Sequence, residues 1–274
     1  MKLDEVLQHK LEQLISLLKN KKVVVAFSGG VDSSLLAYLS NKYGKEVLLV
    51  TQRSILYSVD DIDQAAQFAK KYQIPHNYIN FDPLDDSNFV KNRVNRCYIC
   101  KKKLYSRIIK IKEYKDFDMI LDGSNLDDLS DYRPGMQALK ELNILTPYIE
   151  FKVNKVEIRE LAKYFKLNVH SKPSMACYAS RIPYNQTINE KKLIMVRDAE
   201  IFLRNTFKLN QLRVRIHNAK LARIELEKDD FSKVLKKRNL DLITNKFKEL
   251  GFTYITIDIE GFRSGSMNLP ITKN

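Results

Sequence analysis

No stretch of this 274-residue chain is apolar for long enough to cross a bilayer, and its beginning carries no secretory apolar core. Those absences set the expectation of a soluble, cytoplasmic protein with no membrane partner. Both common phosphate-binding signatures are missing as well. There is no G-x-x-x-x-G-K-[ST] and no G-x-G-x-x-G, so neither γ-phosphate transfer nor dinucleotide binding is indicated. Cysteine is scarce and odd in number, with only Cys97, Cys100 and Cys177. That count argues against a disulfide framework and for metal binding or catalysis. Acidic residues are in deficit: 33 Asp and Glu against 47 Lys and Arg leave a formal charge of +14. The excess suits anionic partners such as nucleotides, phosphorylated small molecules or RNA, and equally describes a lysine-rich solvated surface. Internal repeats and low-complexity segments are absent, and the length accommodates one large α/β domain with a smaller one.

What is present is concentrated first in Val23-Val24-Val25-Ala26-Phe27-Ser28-Gly29-Gly30-Val31-Asp32-Ser33-Ser34. A β-branched run ends in a Ser-Gly-Gly turn, and helix formers (Leu35, Leu36, Ala37, Leu39) follow at once. Two glycines let the backbone approach a ligand and take up positive φ. The helix N-terminus, with its unbonded N–H groups and about half a positive charge, offers a seat for phosphate. Asp32 is expected to hold Mg²⁺ or to cap the helix.

An amphipathic helix is expected over 3–19, then strands at 23–27, 46–51, 76–81 and 118–121. Helices are expected near 33–43 and 59–73, with Ser58 and Asp61 as a cap and Gly44 as a stop, and one from about 88 to 113. Apolar strands alternating with helices predict a parallel sheet covered on both faces, with ligands beyond the strands' carboxyl ends. The Ser28 loop, Thr51–Arg53 and Gly123-Ser124-Asn125 fall at such ends. After residue 184 a smaller α+β unit is expected, for substrate binding or oligomerisation. It would have a helix at 189–206, strands at 212–217 and 221–226, a helical stretch through 230–250 and a strand at 254–259, with an antiparallel sheet.

Three further groups carry chemistry. Asp122, Asp127, Asp128 and Asp131 place four carboxylates within ten residues of a strand end, a solvated acidic turn or Mg²⁺ ligands. Cys97 and Cys100, three apart in a helix, share a face, while Cys177 lies in a loop whose Lys172 and Arg181 would lower its thiol pKa from about 8.5. Zinc would need a fourth ligand, for which His170 is the nearby candidate. Three thiolates alone would leave one iron of a [4Fe–4S] cluster open, and inert buried cysteines are the plainer alternative. Finally, Arg213 and Arg215 alternate onto one face of a strand, as do Arg223 and Glu225 on the next. This fits a phosphate seat or a cross-strand ion-pair ladder.

SGGVDSS (28–34) resembles the PP-loop of ATP pyrophosphatases. Together with DGSNLDD…DYRPG (122–135), KPSMACYASRIPY (172–184), LRVRIH…LARIE (212–225) and EGFRSGSMN (260–268), it is similar to the LarE family of ATP-dependent sulfur transferases. The resemblance implies adenylation of a carboxylate of pyridinium-3,5-biscarboxylic acid mononucleotide, loss of pyrophosphate, and displacement of AMP by sulfur. ATP and Mg²⁺ would lie against Ala26, Phe27, Ser28, Gly29, Gly30, Asp32, Ser33 and Ser34, with Thr51, Gly123 and Asp127. Arg181, Arg213, Arg215, Glu200, Glu225 and Asp230 would meet an anionic, nucleotide-like substrate. Cys177 and Asp32 are the expected catalytic groups. In some members the cysteine matching Cys177 gives up its own sulfur. Three-cysteine members, like certain tRNA-thiolating enzymes, use a [4Fe–4S] cluster, so Cys97, Cys100 and Cys177 are expected as its ligands, with sulfide or another sulfur donor. A homo-oligomer is expected and nucleic acid is not, since the case for RNA rests on charge alone.

Overall fold

The computed structural model describes residues 3–129, 133–173 and 176–268. The chain divides into two compact units, Met1–Pro83 with Asn95–Met175, and Leu84–Val94 with Ala176–Asn274. The expected boundary at 184 therefore moves earlier, and the small unit also claims a segment from the middle of the large one.

The elements run α1 (Glu5–Leu18), β1 (Lys22–Ala26), α2 (Val31–Tyr43), β2 (Glu46–Arg53), α3 (Val59–Lys71), β3 (His76–Asn80), α4 (Ser87–Val90), α5 (Arg96–Tyr114), β4 (Met119–Leu121), α6 (Gly135–Glu141), α7 (Pro147–Glu150) and α8 (Lys155–Tyr164). There follow α9 (Glu190–Phe207), β5 (Leu212–His217), β6 (Leu221–Leu226), α10 (Phe231–Val234), α11 (Lys237–Glu249) and β7 (Tyr254–Ile257). Strands and helices thus alternate as expected up to β3. The single helix expected over 88–113 is two, α4 and α5. Between them Asn92 adopts φ 52°, a left-handed conformation that Asn tolerates and a helix does not.

In the large unit the sheet is wholly parallel, in the order β3-β2-β1-β4. Alternation along β1 sends Val23 and Val25 into one apolar cluster, with α1, α2, α3 and α8, and Val24 into the other, with α5. Both faces are buried, hence the continuous Val-Val-Val. Helix α1 buries Leu7, Leu11, Leu14 and Leu18 at helical spacing and is capped by Asp4, whose carboxylate accepts from the Leu7 N–H at 2.7 Å. Ser58 caps α3 as expected, accepting from the Asp61 N–H at 3.0 Å. Gly44 ends α2, though at φ −80° and not in the left-handed form. A side chain there would meet the Ser40 carbonyl at 2.6 Å.

In the small unit β5 and β6 pair antiparallel, but β6 and β7 pair parallel, so the expected antiparallel sheet is mixed. The helical stretch expected over 230–250 is two pieces, α10 and α11, and β7 stops at Ile257. Helix α11 buries Ile243 and Phe247, the latter ring 5.3 Å from Phe252.

Candidate active site

Strand order reverses at β1: β2 and β3 lie to one side and β4 to the other. At the carboxyl ends of such strands the connecting segments diverge and leave a crevice. Ser28, Gly29 and Gly30 line that crevice. Only Gly29 takes positive φ (69°), whereas Gly30 is the extended N-cap of α2, so the glycine pair divides the two tasks expected of it. A Cβ on Gly29 would also sit 3.1 Å from that of Ala65. The Ser33 hydroxyl accepts from the Ser28 N–H at 3.2 Å and donates to the Gly30 carbonyl at 3.3 Å, holding the loop curled over the helix start. Ser34 is wholly buried and its hydroxyl has no hydrogen-bond partner. The loop fits a polyphosphate on the ground of that orphaned donor and of the open helix N-terminus.

Gly123 closes the other wall. A Cβ there would stand 3.0 Å from the Ser33 nitrogen and 3.2 Å from the Asp32 carbonyl carbon, so β4 can meet α2 only through a glycine. Asp32 lies inside the first turn of α2 and does not cap it, which corrects that expectation. Its carboxylate pairs with the Lys155 ammonium and accepts from the Asn125 amide at 3.2 Å. Asp127 accepts from the Lys155 backbone N–H at 2.9 Å, and Asp128 pairs with Arg133 at 2.9 Å. Asp122 is buried under Tyr105, Lys101 and Ser124. Burial alone would raise its carboxyl, but Lys101 and these hydrogen bonds hold it below the ordinary carboxylate range. Asp122, Asp127 and Asp128 thus each have hydrogen-bond or ion-pair partners within the large unit. Asp131 lies outside the described residues. Thr51 is buried, its hydroxyl donating to the Phe27 carbonyl at 2.6 Å beside His76.

Two lysines not expected at the nucleotide loop reach this site. Lys155 opens α8 behind Asn154 and Glu157, a reciprocal cap visible in the sequence. Lys172 was expected to act on Cys177. Its ammonium pairs with Asp61 and donates to the Gly29 carbonyl, each at 3.2 Å.

The small unit holds the second constellation. Cys177 precedes a short 3₁₀ turn at Tyr178–Arg181, and Ser180 and Arg181 donate back to the Cys177 carbonyl at 2.8 and 3.3 Å. Arg181 has no solvent exposure and forms a two-pronged pair with Glu200 at 2.8 and 3.0 Å. Burial works against both charges. The pairing overrides it, raising the guanidinium pKa and holding the Glu200 carboxyl low. Arg213 and Arg215 share a sheet face, opposite Glu225 and Arg223. Arg215 forks onto Glu225 at 2.8 and 3.1 Å and donates to the Ser180 carbonyl at 3.1 Å, while Arg223 joins Glu225 at 3.0 Å. The ladder alternative therefore describes Arg215, Arg223 and Glu225, and Glu200 and Glu225 serve as partners to arginines. Arg213 lies over the Phe262 ring at 5.1 Å. Burial above all, with Arg181 and Arg215 nearby, pushes it down to about 9. Asp230, the residue before α10, pairs with Lys233 of that helix.

The EGFRSGSMN stretch, which spacing alone left without a role, packs around these arginines. Phe262 stacks on Arg213, Ser266 bridges Arg215 and Glu225 at 3.1 and 2.7 Å, and the Met267 sulfur accepts from Arg223 at 3.5 Å.

Cys97 and Cys100 stand in the first two turns of α5, and all three cysteines are half-buried thiols. Among the described residues no group of three or more His, Cys, Asp or Glu is gathered as a metal site. Thiols are the side chains that iron–sulfur chemistry uses; in the large unit two of them lie one helical turn apart on α5, and in the small unit the third precedes the Tyr178–Arg181 turn. Ser174 and Met175 of that loop lie outside the described residues.

A parallel sheet with a Ser-Gly-Gly-x-Asp-Ser loop at its reversal point defines an ATP-using enzyme of the PP-loop ATP pyrophosphatase class. The chain matches the NAD synthase family model over residues 3–117. It is 34% identical to an uncharacterized protein of Synechocystis over 98% of this chain and all of that one. It is 37% identical to an uncharacterized protein of Methanocaldococcus jannaschii over 90% and 92% of the two chains. It is 33% identical to the pyridinium-3,5-bisthiocarboxylic acid mononucleotide synthase of Lactiplantibacillus plantarum over 96% of this chain and 95% of that one. The chain belongs to the family of that synthase, the LarE sulfur transferases. No helix among the described residues is long and apolar enough to cross a membrane.

Proposed function

We propose that this enzyme adenylates a carboxylate of pyridinium-3,5-biscarboxylic acid mononucleotide with ATP and then replaces the adenylate with sulfur. In the first step a carboxylate oxygen attacks the α-phosphorus and pyrophosphate leaves. In the second, sulfur attacks the acyl carbon and AMP leaves. A carboxylate is a poor electrophile, and the mixed anhydride supplies the leaving group that thiolation needs.

The observation that carries the reading is the sharing of one arginine cluster by the Cys177 turn and the anion seat. Arg181 and Arg215 donate to the Cys177 and Ser180 carbonyls, and Arg213 shares the sheet face of Arg215 and lies over the Phe262 ring. A substrate phosphate bound at Arg213 would therefore be held beside the turn that carries the thiol. In the large unit the Ser28–Ser34 loop and the α2 N-terminus would take the triphosphate, with Asp32 offering a carboxylate to Mg²⁺ and Lys155 as its counter-charge. Cys97, Cys100 and Cys177 would hold a [4Fe–4S] cluster, which when bound supplies an iron with no protein ligand, at which a sulfur donor can be accepted.

The test is pyrophosphate release from ATP, expected only when the pyridinium mononucleotide is present. No release would refute the reading. Anaerobically reconstituted protein should contain about four irons per chain, and Cys97→Ala should abolish both iron and thiolation. Intact transfer by Cys97→Ala, with dehydroalanine at position 177 in the mass spectrum, would establish the sacrificial route instead.

A further inference from the structure

On α5, Cys97, Lys101 and Tyr105 are spaced i, i+4, i+8 and form one stripe along the helix. Two members of that stripe meet the same carboxylate. The Tyr105 hydroxyl and the Lys101 ammonium, the latter at 3.1 Å, both donate to one oxygen of Asp122. The other oxygen accepts from the Ser124 N–H at 2.7 Å and from its hydroxyl. Asp122 directly follows β4, which ends at Leu121, and Gly123 comes next, against Ser33 and Asp32 of the phosphate loop. Asn125, two residues further, donates to Asp32. Within the large unit, hydrogen bonds at Asp122 and Asn125 and the close approach of Gly123 to α2 thus tie the nucleotide loop to Lys101 and Tyr105, and helical spacing places Cys97 one turn before Lys101 on the same stripe. Cys100 lies off it and packs against the apolar cluster of Val24 and Ile108. The two thiols of the C-x-x-C pair are therefore inequivalent, and only Cys97 stands on the stripe that faces the nucleotide wall.

We propose that Asp122 is a positioning residue that couples the nucleotide loop to Cys97, so that nucleotide bound at Ser28–Ser34 changes the reactivity of the Cys97 thiol. Gly123 passes so close to α2 that even a Cβ would stand 3.0 Å from the Ser33 nitrogen, so a ligand that shifts the first turn of α2 would press on Gly123 and on Asp122 beside it. Because Lys101 and Tyr105 are bonded to the same carboxylate, the shift is passed to the first two turns of α5. The inference rests on the ATP-binding part of the proposed function and not on the cluster.

The test uses the full chain with Cys100→Ser and Cys177→Ser, which leaves Cys97 as the sole thiol. Nucleotide binding is measured by calorimetry with an ATP analogue whose α,β-bridge cannot be cleaved, and Cys97 reactivity by its rate of alkylation with iodoacetamide. In this parent the analogue should change the alkylation rate by about fivefold or more. With Asp122→Asn added, the analogue should still bind, but the rate should become insensitive to it. Lys101 is partly exposed, so Lys101→Gln provides a second variant should Asp122→Asn fail to fold, and it should shrink the nucleotide effect in the same way. Binding to the parent without a change in rate, or an undiminished effect in the folded variants, overturns the inference alone. No binding to the parent overturns the nucleotide-site reading and the inference with it.

Discussion

Gly29 and Gly123 do what no other residue could at their positions, for different reasons. Gly29 needs a left-handed backbone and lies against Ala65, whereas Gly123 needs only space in front of Ser33. Gly29→Ala should cost about 1–2 kcal/mol of stability in a urea titration and weaken ATP binding. Gly29 was legible because the Ser-Gly-Gly-x-Asp-Ser string names its own turn. Gly123 was legible as a strand end, but its packing against α2 was not, since that contact joins residues 90 apart in sequence. Arg181 is readable from the sequence as a substrate contact and as a cation near Cys177. Its burial against Glu200 depends on a helix 19 residues further on. Glu200→Gln should destabilise the protein by about 3–5 kcal/mol, because it strands a buried guanidinium. Chemical denaturation checks this, and a loss well under 1 kcal/mol would mean that water reaches Arg181.

Among elements, the strands were read well because β-branched runs buried on both faces have few alternatives, and β5 and β6 match their expected limits residue for residue. The α4–α5 break escaped notice because helical periodicity continues across it. What interrupts it is Asn92, whose fully buried side chain donates to the carbonyls of Ile182, Pro183 and Gln186 at 3.3, 2.8 and 3.0 Å. No local pattern announces a donor that caps a loop so remote in the chain. Asn92→Ala leaves those buried carbonyls short of a donor, a loss of about 1–3 kcal/mol. The small unit should register it first, as faster proteolytic cleavage near 182–186 with α1 and β1 still protected. Uniform loss of protection throughout the chain would count against this local assignment. The parallel pairing of β7 was equally hidden, since strand alternation reads the same in either direction.

For the molecule as a whole, acid is the condition that should expose its design. Burial, reinforced by neighbouring arginines, lowers the pKa of His76 and His217. Glu200 and Asp122 are also depressed, their cationic partners outweighing burial. Each of these groups binds its proton more readily in the unfolded chain, so each favours unfolding as pH falls below its unfolded value. The urea midpoint should be flat above about pH 7, decline gently below about 6.5 as the histidines charge, and steepen below about 4.3. In Glu200→Gln the second limb should be shallower. A midpoint that rose between pH 6.5 and 4 would contradict this. The interrupted second unit has a consequence for synthesis. Residues 84–94, including the buried Phe89 and Asn92, leave the ribosome some 90 residues ahead of the carbonyls that Asn92 serves. At translation rates of about 5–20 residues per second that is a delay of about 5–18 s. During that interval the nascent chain carries an unfinished apolar segment between two parts of a nucleotide-binding sheet, a natural point for a chaperone to attend.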